Sequence, residues 1–115
     1  MKKKMTLNKT WKECLRMWKW IVKQTGNNVY ESSFVVDSLK YRWLKEHGYK
    51  PSTICCFCFF CEITADGAGY HCTKCPGVKV SRYFRCTNLT YFWAKYPAKF
   101  YKKLLQLDAK RKNKN

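Results

Sequence analysis

Two Cys-x-x-Cys pairs, Cys58/Cys61 and Cys72/Cys75, stand ten residues apart in a chain of 115 residues. No other feature restricts the fold as much. Each pair can set two thiolates on one ion through a tight turn. The loop between them is long enough to bring four sulfurs into a tetrahedron with metal–sulfur distances of ~2.3 Å. Zinc accepts that geometry without redox chemistry, so the spacing predicts a structural Zn2+ held by Cys58, Cys61, Cys72 and Cys75. Gly67 and Gly69 free the loop, and Pro76-Gly77 closes the second turn. Four more cysteines are present. Cys14 falls on an apolar helical stripe and reads as a core residue. Cys55 forms a third Cys-x-x-Cys with Cys58, so a register in which Cys55 replaces Cys61 stays open, and Cys56, Cys86 and His71 are reserve ligands. An iron–sulfur cluster would use the same four thiolates. A redox reading of one pair lacks the βαβ pattern that would surround it.

Charge is the second constraint. The chain carries 24 Lys and Arg against 7 Asp and Glu, a net charge of +17. The excess is spread: residues 1–57 hold twelve basic and four acidic residues, and residues 58–115 hold twelve and three. A basic tail on a neutral body is therefore excluded, and the folded body itself repels unless a polyanion screens it. Nucleic acid is the commonest such partner. With 46% hydrophobic and 17% aromatic residues, the chain is too apolar for a disordered basic segment. No apolar run approaches the ~18 residues of a membrane helix, so no membrane partner is expected. Met1-Lys2-Lys3-Lys4 has the charge of a signal-peptide start, but Lys9, Lys12, Glu13 and Arg16 interrupt any apolar continuation. A reducing, cytoplasmic location is expected, where clustered cysteines bind metal rather than form disulfides.

Hydrophobic periodicity places a helix at 6–24, with Leu7, Trp11, Cys14, Leu15, Trp18, Ile21 and Val22 on its apolar stripe and Lys9, Lys12, Arg16, Lys19 and Lys23 on a basic one. Met17 and Trp20 fall outside the apolar stripe, and Gly26 is the stop. A second helix is expected at 32–47. Its apolar side is Val35, Val36, Leu39, Trp43 and Leu44, and Lys40, Arg42, Lys45 and Glu46 point outward. The zinc-binding segment spans 54–87. Within it, Val78 to Arg85 alternates as a strand would. A helical stretch at 90–109, entered through Pro97, and a mobile basic tail at 110–115 complete the chain. The expected fold is α+β, mostly helical: one zinc-stabilised domain over 1–115, with a small zinc-knuckle core holding two N-terminal helices and one C-terminal helix.

Met17-Trp18-Lys19-Trp20, Glu46-His47-Gly48-Tyr49-Lys50, Cys58-x-x-Cys61-Glu62, Cys72-x-x-Cys75-Pro76 and Tyr91-Phe92-Trp93 follow one another along most of the chain. In this layout the chain resembles small, uncharacterised phage and prophage zinc-binding proteins of Gram-positive hosts. The resemblance implies a phage origin, a location in the host-cell cytoplasm and a four-cysteine zinc, rather than an activity. This chain departs from that layout in being very basic.

Chemistry-bearing groups are sparse. The seven carboxylates form no obvious pair, His47 and His71 lie 24 positions apart, and no His-x-Glu precedes the cysteines as a zinc deaminase requires. Zinc closed by four thiolates cannot activate water. The chain is therefore not expected to be an enzyme. The expected function is association with nucleic acid through Lys12, Arg16, Lys19, Lys23, Arg82, Arg85, Lys99, Lys102 and Lys103, with Tyr83 or Trp20 able to stack on exposed bases. The alternative is an inhibitor or adaptor that docks on a host protein, with zinc purely structural.

Overall fold

The computed structural model describes residues 5–54, 57–65, 69 and 71–113. Helix α1 (Leu7–Thr25) opens at Thr6, whose side chain accepts the Lys9 N–H at 3.2 Å and so satisfies one donor that a helix start leaves open. Gly26 closes it at φ 60°, its N–H donating to the Val22 carbonyl at 2.7 Å. Helix α2 (Phe34–Glu46) ends at His47, whose Nδ1 lies 2.8 Å from the Trp43 carbonyl, and at Gly48 with φ 83°. Two short helices, α3 (Phe59–Thr64) and α4 (Pro76–Val80), occupy the cysteine-rich stretch together with 3-10 turns at Pro51–Thr53 and Cys72–Lys74. Helix α5 (Pro97–Lys112) starts on proline, which has no N–H to leave unsatisfied.

α1 is the hub and packs against α5, α3 and α2. Its Trp18 meets Phe100 of α5 edge-on at 4.8 Å, and its Trp11 meets Phe60 of α3 at 4.7 Å. From α2, Trp43 faces the edge of Phe59 at 6.0 Å and stacks on His47 at 3.9 Å. Such aromatic pairs each contribute ~0.5–1.5 kcal/mol beyond the area they bury. At the far end, Arg111 donates to Asn8 Oδ1 at 2.9 Å and lies 4.9 Å from the Trp11 ring, which ties the end of α5 to the start of α1.

The structure corrects the expected fold. Among the described residues the regular structure is helical and there is no strand, so the α+β class fails. The expected zinc-knuckle core fails with it, because the core is the aromatic and aliphatic packing between the helices. The alternation at 78–85 misleads for a local reason. Pro76 starts α4, the Lys79 and Ser81 N–H groups donate to the Cys75 and Gly77 carbonyls at 3.0 Å, and the chain then turns at Arg82–Tyr83. Phe84 is thereby folded back onto Gly77, where a Cβ would stand 2.6 Å from its ring. Phe84 is still buried and Tyr83 and Arg85 exposed, so the inward and outward residues are sorted without a strand.

Other boundaries move as well. The buried arc of α1 is turned toward Thr10, Glu13 and Met17, all buried, while Leu7 is exposed, because three helices rather than one press on α1. Glu13 is accommodated by Arg16, whose Nη1 lies 3.1 Å from both carboxylate oxygens. Residues 89–95 form turns, with helix only from Pro97. The expected tail is helical to Lys112, since Asp108 holds Arg111 at 2.7 Å and Lys112 at 3.0 Å. Cys55, Cys56, Gly67, Met1-Lys2-Lys3-Lys4, Lys114 and Asn115 lie outside the described residues. Among the described residues no helix is long and apolar enough to cross a membrane.

Candidate functional site

The chain reaches Cys58 through Phe57, which adopts φ 53°, a left-handed conformation uncommon for a bulky residue, and rests its ring edge-on to Tyr41 at 5.8 Å. Cys58 then caps α3, and Cys75 caps α4. Each cysteine stands at the N-terminal cap position of its helix, without a side-chain cap hydrogen bond. Cys61 lies one turn into α3, and Cys72 opens the 3-10 turn before Cys75. Thr64 links the two pairs: its hydroxyl donates to the Cys61 carbonyl at 2.8 Å and accepts the His71 N–H at 3.0 Å.

All four predicted ligands line one cavity of about 290 Å³. Cys86, His71 and Cys14 line it too, so two reserve ligands and the expected core cysteine share its wall. Among the described residues no three Cys, His, Asp or Glu side chains stand in a ligating arrangement; the thiols share a wall rather than a common point. Their electrostatics are mutually dependent. A hydrogen bond from Cys61 draws Cys58 from 9.0 to about 6 against the opposing effect of burial, and the Lys40 ammonium helps. Burial pushes Cys75 and Cys86 up to about 11, and the neighbouring Cys58 adds to both. Burial also raises Cys14 well above 9.0, with Cys58 and Cys75 contributing. Ionisation of one thiol therefore opposes ionisation of the next.

Lys40 is the residue that sequence reasoning missed. Expected to point outward, it is buried, with its Nζ 3.6 Å from the Trp93 ring centroid and 5.9 Å from that of Trp18, and it lines the thiol cavity. The available signal was spacing: Val36, Lys40, Trp43 and Leu44 share one helical face, and the other three are buried. The position reads as basic by type and as core by register.

The predicted nucleic-acid residues occupy three elements. Lys12, Arg16, Lys19 and Lys23 are exposed on the outer face of α1, although Arg16 is engaged by Glu13. Arg82 donates to the Tyr83 hydroxyl at 2.8 Å, and its guanidinium lies 4.8 Å from that ring. Arg85 donates to the Phe84 and Arg82 carbonyls, so it braces the turn. On α5, Lys102 is exposed, Lys99 lies 4.9 Å from the Tyr96 ring, and half-buried Lys103 lies 5.4 Å from Tyr91. No protein-family model matches the chain, and no curated protein or solved structure matches it either.

Proposed function

We propose that the chain is a small basic accessory protein, of phage or prophage type as its motif layout implies, that associates with nucleic acid without sequence preference. Cys58, Cys61, Cys72 and Cys75 hold a structural zinc in this reading. The observation that carries it is the disposition of charge. Glu13, Asp37, Glu46 and Asp108 are each paired with a cation three or four residues along their own helix. Lys12, Lys19 and Lys23 stay exposed on α1, in a chain of net charge +17. Phosphates neutralise such a face with release of counterions. For the metal, support comes from four thiols on one cavity wall, the ligand set that a structural zinc takes.

The test is fluorescence anisotropy of labelled oligonucleotides across a salt series, with elemental analysis of the same preparation. We expect log affinity to fall linearly with log salt, with a slope of ~−0.9 per phosphate neutralised on duplex, and one zinc per chain. Lys12→Glu/Lys19→Glu/Lys23→Glu should weaken binding about tenfold or more with helicity unchanged. Arg16 is left intact because its removal would strand the buried Glu13. Salt-independent binding, or full binding by the triple variant, overturns the nucleic-acid reading, and metal-free folded protein overturns the zinc. The second reading, docking on a host protein, is favoured by Phe34 and Leu89, which are 75% and 85% exposed. Capture of one protein that survives nuclease treatment would favour it.

A further inference from the structure

Four thiolates around a divalent ion carry a net charge of −2, and enclosing that charge in a half-buried cavity is unfavourable unless a cation faces it. The fold places one there. The Lys40 side chain is 4% exposed and lines the wall shared by Cys58, Cys61, Cys72 and Cys75. Lysine is almost never fully buried unless it is paired. The partner on its own helix, Asp37, stands 3.7 Å away and is itself 39% exposed. Trp93 and Trp18, whose rings hold the ammonium, line the same cavity. Trp93 is in turn tied to the thiol segment, its N–H donating to the Cys86 carbonyl at 3.3 Å.

We propose that Lys40 is the built-in counter-cation of the thiolate centre, caged by Trp93 and Trp18 so that a thiophilic divalent ion can be held with a net-negative shell of four sulfurs. This rests on the metal reading above. Lys40 is a positioning residue: it does not ligate, and acts through the charge of the shell. A merely structural lysine would contribute packing and leave the metal indifferent to its charge.

The experiment is a zinc competition titration against a chromophoric chelator, using the full chain as wild type, Lys40→Met and Lys40→Arg. Cobalt(II) substitution follows, because its sulfur-to-metal charge-transfer intensity reports the number of thiolates bound. We expect wild type to bind one ion with four thiolates. Lys40→Met should bind it about ten- to a hundredfold more weakly, the range for loss of a group that tunes a metal site from outside its ligands, with reduced charge-transfer intensity. Lys40→Arg should stay close to wild type. Should Lys40→Met fail to fold, Lys40→Gln removes the charge while keeping a polar side chain, and the same weakening is expected. Metal binding by wild type with unchanged affinity in the folded neutral variant overturns the role of Lys40 alone. Absence of metal from wild type overturns both this inference and the zinc reading beneath it.

Discussion

The helical half and the thiol half of the molecule are held by different means. α1, α2 and α5 run for 19, 13 and 16 residues, whereas α3 and α4 run for 6 and 5. Isolated helices below ~12–15 residues are marginal in water even with favourable sequences. The long helices offer broad apolar faces to one another, and α1 has a side-chain cap at Thr6. The short ones begin on cysteine and lean on a few large rings: Phe59 and Phe60 reach into the helical core, and Phe84 covers α4. The thiol half is therefore structured by what it is pressed against.

If that contrast is right, the largest effect comes from a residue that serves both halves. Trp43 belongs to α2 but touches Phe59 and Tyr49 from the segment beyond it. Trp43→Ala should lower stability by about 3–5 kcal/mol, the range for deleting a buried large aromatic. Urea unfolding should show far-UV dichroism and near-UV signals of the remaining tryptophans shifting together. Two separated transitions would mean that the thiol half unfolds independently and that Trp43 is not the joint.

A smaller and more local effect is expected at Gly77. Its Cα hydrogen faces Phe84 so closely that a methyl group would stand 2.6 Å from two ring carbons. Phe84 has little freedom to withdraw, being buried, stacked on Tyr91 at 5.9 Å and 6.2 Å from Phe100. Gly77→Ala should cost about 1–3 kcal/mol through overpacking. Hydrogen exchange should locate the loss at residues 76–86, with amides of α1 keeping their protection. Uniform loss across α1 would show that the halves are coupled more tightly than their packing implies.

Legibility in the sequence divides along the same line. The long helices were readable because a 3.6-residue period repeated over several turns averages out single exceptions, and because Gly26, Gly48 and Pro97 mark ends by backbone chemistry. Exceptions set by tertiary contact were not readable. Met17 is buried because α1 is covered from three sides, and Lys40 because an aromatic cage and thiols await it. In the thiol half the period is too short to sample. Val78 to Arg85 satisfies a strand pattern and a turn of helix equally, and only Pro76 hinted at the outcome. Cys58, Cys61, Cys72 and Cys75 do line one cavity, a proximity that short Cys-x-x-Cys spacing favours within each pair. That Cys86 and Cys14 would join them depended on how distant elements pack, which no local pattern encodes.

The smallest expected effect belongs to the helical half alone. Burial raises the Asp108 carboxyl, but hydrogen bonds and charge from Arg111 and Lys112 outweigh it and leave the group below its ordinary 3.8. A depressed carboxyl contributes stability that is complete above the unfolded value and is lost as pH falls through the folded one. The contribution should therefore be constant at neutral pH, begin to fall below about pH 4 and be gone only below the folded value. Asp108→Asn should cost under about 1 kcal/mol at pH 7, as for other partly exposed ion pairs. Chemical unfolding of wild type and variant at a series of pH values isolates the effect, because whatever acid does to the cysteines is common to both. Convergence of the two stabilities is expected once the pH has fallen below the folded value of Asp108. A difference that persists there would mean that Asp108 acts by holding Arg111 against Asn8 and Trp11 through geometry, with charge secondary, and the tie between α1 and α5 would then resist acid.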